Sequence, residues 1–280
     1  MRARTTSLTA APDLNDVASD EGFLFVRDGV GWAGRGVAAR VDLRDAPAAL
    51  AAIEHEPHPD HPQSGPIAFG RMPFRPDENG TAIIPSVLVG KDGSGKCWCT
   101  TIDGAELPAI SPVAPVAPGS FDVGALTPID RYLAAVTTAR DAVRSGDLVK
   151  AVIARQIAVE SSEPFPVHAI LARLRGSFGS SYRYSIDGFI GASPELLIAV
   201  DDDVVRSHPL AGTTPRTGDP RTDDELAARL LASIKDQIEH RVVIDVIHDM
   251  LLPHCSYLDW EPEPSVVKVA NVQQIGRAHV

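Results

Sequence analysis

Residues 182–200 read YRYSIDGFIGASPELLIAV. Three runs rich in aromatic and β-branched residues follow one another here: YRYSID (182–187), GFIGAS (188–193) and ELLIAV (195–200). Such runs, broken by Gly and Pro, read as consecutive strands with tight turns. Strands joined by tight turns pair antiparallel, so this stretch sets the character of the fold. Upstream, LVKAVIARQIAVE (148–160) alternates like a strand. Between them, Val167, Ile170, Leu171 and Leu174 fall on one face of a helix over 166–174.

Further out, Thr127 is expected to cap a helix with Pro128 at its first position. Leu133, Val136, Arg140 and Val143 keep helical spacing, and Gly146 stops it. Downstream, residues 211–222 read as a Gly/Pro/Thr loop. A long helix is expected from Asp223 to Leu251, acidic in its first turn, with Leu226, Leu230, Ile234, Ile238, Val242 and Val246 as its apolar stripe. SVVKVANV (265–272) reads as a last strand.

The first part of the chain differs. Residues 1–20 are polar and small and are expected to be disordered, and 23–99 read as short strands broken by Gly and Pro. Residues 107–120, LPAISPVAPVAPGS, are a Pro-rich connector. The expected organisation is therefore a variable part over 1–120, a second part over 121–274, and a tail over 275–280. The fold class is α+β: mostly antiparallel sheets packed face to face, with flanking helices.

Bulk properties narrow the function. Of the 280 residues 44% are apolar and 22% charged, as in an ordinary globular protein. A net charge of −11 argues against a nucleic-acid surface. No apolar run is long enough to span a membrane, and the N-terminus carries no apolar core of a signal peptide. Cys97, Cys99 and Cys255 cannot all pair, which fits a reduced, cytoplasmic setting.

Several features invite a site and are better read otherwise. Gly29, Gly31 and Gly34 spell G-x-G-x-x-G, but RGVAARVD follows as a strand where a dinucleotide loop needs a helix. They read as turn glycines. Cys97-Trp98-Cys99 reads as a strand with buried thiols. His55, His58 and His61 sit among prolines and read as a solvated loop.

Four segments carry the chemistry: LVKAVIAR (148–155), FIGASPELL (189–197), PLAGTTPR (209–216) and LLASIKDQIEHRVVID (230–245). Lys150 lies among small and apolar residues, and must be neutral to act as a base. Glu195 follows Gly191 and Ala192, whose small side chains let a ligand approach. Gly212 allows close approach, and Thr213 offers a hydroxyl and an N–H. Asp236 and Glu239 are three apart on a helix and share a face. Standing alone, each has a plain reading as a solvated charge or an ordinary turn.

In this order and spacing, from about Pro128 to Asn271, the segments resemble the chorismate-utilising enzyme family. That family includes isochorismate, salicylate, anthranilate and aminodeoxychorismate synthases. The resemblance implies one intertwined domain with its site in a cleft between sheets. It implies that Lys150 deprotonates an attacking water and that Glu195, as general acid, protonates the leaving C4 hydroxyl of chorismate. It implies Mg²⁺, held directly by Glu239 and through water by Asp236, and substrate contacts from Ala211, Gly212 and Thr213. Ammonia-using members typically carry glutamine where Lys150 stands. Aminodeoxychorismate synthases usually carry lysine where Ala211 stands. The isochorismate synthase type is therefore expected, as a monomer without a glutaminase, nucleic-acid or membrane partner. Salicylate synthase, anthranilate synthase and an inactive chorismate-binding fragment are the alternatives. Family members continue beyond Asn271, so a C-terminal truncation is expected, with IGRAHV (275–280) as an artefactual tail, and the truncated chain itself is expected to be inactive.

Overall fold

The computed structural model describes residues 1–75, 77–116, 119–261 and 263–276. Its contacts divide the chain into two compact units, 1–116 with 166–194, and 117–165 with 195–280. Each is an α+β assembly of antiparallel strands and helices, as expected. The division corrects the expected boundary, because residues 166–194 join the first unit and not the second. The reason is strand pairing: Tyr182–Ile186 adds to Phe23–Arg27, with Arg183 opposite Val26 and Ser185 opposite Leu24.

The first unit is built on an eight-stranded sheet. Its order is Phe189–Ser193, Tyr182–Ile186, Phe23–Arg27, Val30–Arg35, Val87–Lys91, Cys97–Ile102, Arg2–Ser7 and Glu54–His55. All neighbours are antiparallel except the last pair. Alternation sends side chains to two faces. Leu24, Val26 and Val89 pack with Leu14, Val17 and Leu171 of the helices Leu14–Ala18 and Val167–Phe178. Phe23 and Leu88 pack with Phe69 and Ile83 of a second, three-stranded sheet. A sheet face covered by helices and a face covered by another sheet is the layered packing expected for the class.

Several local expectations are corrected here. Residues 2–18 are ordered, because Arg2–Ser7 pairs with Cys97–Ile102, and Thr5 and Thr100 join their hydroxyls at 2.8 Å. Polar content did not preclude order, since the polar groups find partners. The histidine loop is not simply solvated. His61 is buried with Nε2 2.8 Å from Ser7 Oγ, and His55 Nε2 lies 3.1 Å from Thr5 Oγ1. Of the glycine motif only Gly29 is a turn glycine: Asp28 and Gly29, with φ of 51° and 77°, have the left-handed geometry of a hairpin turn, while Gly31 and Gly34 lie in the Val30–Arg35 strand. Cys97 and Cys99 are buried in a strand, also as read.

In the second unit, Asp122–Ala125 pairs with Ile157–Glu160, and Leu196–Asp201 pairs with Val204–His208. A three-stranded sheet has the order Leu210–Pro215, Val272–Gly276, Ser265–Lys268. Leu210, Ala211, Leu230, Ile244, Val269 and Ile275 are buried. Only 157–160 of the 148–160 stretch is a strand, since no partner strand pairs with residues 148–156 among those described. The helix Ile129–Ser145 is preceded by Pro128 at its cap, without the side-chain bond expected from Thr127. It ends at Gly146, whose φ is 84°. Residues 211–215, expected as a loop, lie in a strand because Val272–Gly276 pairs with them.

The long helix is two helices, Pro220–Ala232 and Ile234–Leu251. Ser233 adopts extended backbone, with φ −75° and ψ 110°, and its hydroxyl accepts from Asp236 N at 3.3 Å. A serine can cap as well as continue a helix, and here capping wins. The apolar stripe is thereby split: Leu230 and Ile244 are buried, while Ile234 is 77% exposed. Of the expected tail, Ile275 and Gly276 belong to the Val272–Gly276 strand, and residues 277–280 lie outside the described residues.

Candidate functional site

Lys150, Glu195, Ala211, Gly212, Thr213, Asp236 and Glu239, the residues expected to form the site, all lie in the second unit. The start of the Ile234–Leu251 helix presents Asp236 and Glu239 one turn apart. Two like charges at that spacing repel, and two lysines offset this. Lys150 Nζ lies 3.2 Å from Glu239 Oε1, with both side chains about three-quarters buried. Lys235 Nζ lies 3.8 Å from Asp236 Oδ1 and 3.9 Å from Glu239 Oε2. Lys235 is not among the residues expected from the sequence. Its signal was present, a lysine directly before Asp236 and four residues before Glu239.

The Leu210–Pro215 strand reaches the same place. Ala211 pairs with Ile275 and Thr213 with Gln274, so the register slips at Gly212. Gly212 has a φ of 80°, and a Cβ there would sit 3.1 Å from Asp236 Cβ and 3.3 Å from Ile275 Cδ1. Only glycine meets both the backbone geometry and the space. Ala211 is buried, and Thr213 is exposed with its hydroxyl accepting from Gln274 Nε2 at 3.1 Å. At the head of this strand, Leu210 N donates to Glu195 Oε1 at 3.1 Å. Glu195 is otherwise exposed, just ahead of the Leu196–Asp201 strand.

One connected path thus runs from Glu195 through Leu210 to Gly212, from Gly212 to Asp236, and from Glu239 to Lys150. The strand bulge and the helix start hold it together. Nearby, Asp223 secures the turn into the Pro220–Ala232 helix. Its carboxylate accepts from Thr217 N at 2.7 Å, Thr217 Oγ1 at 2.8 Å and Gly218 N at 3.2 Å. These donors, with Arg216 beside them, hold its carboxyl below the usual range.

The donor set of Asp236 and Glu239 is hard oxygen, which suits Mg²⁺. Among the described residues no group of three His, Cys, Asp or Glu side chains gathers as a metal site. Two carboxylates remain compatible, because magnesium usually takes one or two from the protein and keeps waters or a substrate group for the rest.

Comparison with known proteins places the chain in a class. Residues 117–276, more than half of the 280, match the model of a family described as chorismate binding enzyme. The chain belongs to this chorismate-binding enzyme family. It is 36% identical over 137 residues to the isochorismate synthase DhbC of Bacillus subtilis, covering 45% of this chain and 34% of that one. It is 29% identical over 222 residues to an Aeromonas hydrophila protein provisionally named an isochorismate synthase, covering 76% of this chain. The chain spans 54% of the length of that relative. Its fold matches that of MenF, the menaquinone-specific isochorismate synthase from Escherichia coli, with a TM-score of 0.81 at 22% identity over 99% of this chain and 70% of that one.

Proposed function

We propose that the chain is an isochorismate synthase, converting chorismate to isochorismate with Mg²⁺. The observation that carries this reading is the ion pair between Lys150 and Glu239, which sets an amine against a carboxylate suited to a metal. Water adds at C2, the ring double bonds shift, and the hydroxyl leaves from C4, so one water enters and one departs. Lys150, released from Glu239 and uncharged, takes the proton of the attacking water. Glu195, in its protonated form, gives a proton to the leaving hydroxyl. Gly212 keeps the strand close to Asp236, and the Ala211–Thr213 backbone offers contacts to the substrate. Asp236 and Glu239 would hold Mg²⁺, whose charge would anchor a carboxylate of chorismate.

Lysine at position 150 supports the water-using branch over an ammonia-using anthranilate synthase. The named relatives support isochorismate as the product, over salicylate. Free cysteines support a cytoplasmic setting, and among the described residues no helix is long and apolar enough to cross a membrane. We read the active form as a monomer.

The test is incubation of the purified protein with chorismate and Mg²⁺, followed by identification of the product. Isochorismate supports the reading. Salicylate with pyruvate moves it to salicylate synthase. Calorimetric binding of chorismate without turnover reduces it to a chorismate-binding fragment.

A further inference from the structure

The strand Tyr182–Ile186 in the first unit turns a polar row inward. Ser181, Arg183 and Ser185 alternate and are 1%, 2% and 3% exposed, where apolar side chains are the rule. Arg183 Nη1 donates to Asn15 Oδ1 at 2.9 Å. Arg183 Nε and Asn15 Nδ2 have no hydrogen-bond partner, and Asn15 is 1% exposed. No ion pair among the described residues involves Arg183. Burying a guanidinium is costly: desolvation, and then the charge of Arg175, push its pKa down, and the Asp28 carboxylate opposes them only in part.

Arg183 and Asn15 line a cavity of about 580 Å³, with Lys91, Leu14 and Val26. Two carboxylates also line it, against three cationic side chains, Lys91, Arg175 and Arg183. Asp13 pairs with Arg175, and Asp28 lies 3.6 Å from Arg27. The cavity therefore offers donors and positive charge from Arg183 and Lys91, with an apolar wall beside them. Its volume falls in the range of small-molecule sites.

We propose that this cavity binds a small organic oxyanion, a carboxylate or a phosphate. Its charged group sits on Arg183, Asn15 and Lys91, and its body lies against Leu14 and Val26. This site is separate from the residues assigned to chorismate, all of which belong to the second unit, and does not rest on that assignment.

Thermal unfolding of the purified protein tests it, with benzoate and inorganic phosphate as probes and chloride at equal ionic strength as reference. Ligand that binds only the folded state raises Tm with concentration. A rise with benzoate above that with phosphate assigns a carboxylate ligand, and the reverse assigns a phosphate. Arg183→Met is expected to abolish the rise. Lys91→Met, at a less buried position, is expected to weaken it about tenfold or more in apparent affinity, as for loss of one charge-assisted bond, and carries the test if Arg183→Met does not fold. No rise above chloride in the parent protein, or a rise unchanged in Lys91→Met, overturns the proposal.

Discussion

Lys150 Nζ and Glu239 Oε1 lie 3.2 Å apart although 89 positions separate them in the chain (239 minus 150). Lys150 comes from a stretch without regular structure, and Glu239 from the second turn of a helix. Two partly buried side chains of opposite charge hold each other where one proposed role is proton transfer and the other metal binding. Either role requires the contact to open, so the pair couples them.

Lys150→Met removes the proposed base while keeping the length of the side chain. Product formation from chorismate is expected to fall about 10²- to 10⁴-fold, the usual contribution of a general base. Chorismate binding, measured by calorimetry, is expected to persist. Turnover unchanged in this variant removes Lys150 from the mechanism.

Gly212→Ala tests the close approach of strand and helix. A side chain there meets Asp236 and Ile275 and must hold a φ of 80°. Strain of this kind costs about 1–3 kcal/mol. Tm is expected to fall, and Mg²⁺ affinity with it, since Asp236 must move. A variant with the parent's melting and metal affinity would show that the approach is loose.

Asp223 gives a pH dependence of defined sign. Its folded carboxyl is held below the unfolded value by Thr217 and Gly218 N–H groups, the Thr217 hydroxyl and Arg216. A depressed value stabilises the fold above the unfolded pKa, and that stability is lost as pH falls through the folded one. Asp223→Asn is expected to lower Tm at neutral pH. It is also expected to flatten the loss of stability on acidification, followed by melting between pH 6 and pH 3 (roughly the carboxylate range). An equally steep acid loss in the variant would assign it to other carboxylates.

The thiols differ in access. Burial pushes Cys99 up to about 11 and raises Cys97, and both are buried in the Cys97–Ile102 strand. Cys255 is partly exposed. With a thiol reagent near neutral pH, Cys255 is expected to react first, and the other two only on unfolding. Rapid reaction of all three in the native protein would contradict the burial of that strand.

Local chemistry explains what was legible from sequence. Alternating residues at 182–193 announced antiparallel strands because the side-chain period of two is a property of the strand itself. The motifs around 150, 195, 212 and 239 were legible because their residue types and order are unusual in combination. Ser233 shows where this fails: one hydroxyl can cap a new helix or ride within an old one, and the chain on either side reads the same. Residues 148–156 fail for a related reason, since alternation promises a strand only where a partner strand pairs with it.

The sequence by itself determined the α+β class, the antiparallel pairing and the identity of the charged residues in the second unit. Only the tertiary structure decided that 166–194 belong with the N-terminal sheet, that Gly212 lies in a bulged strand against Asp236, and that Lys150 meets Glu239. Periodicity is written in neighbouring residues, whereas strand partnership and ion pairing are settled between distant segments competing for the same hydrogen bonds and charges.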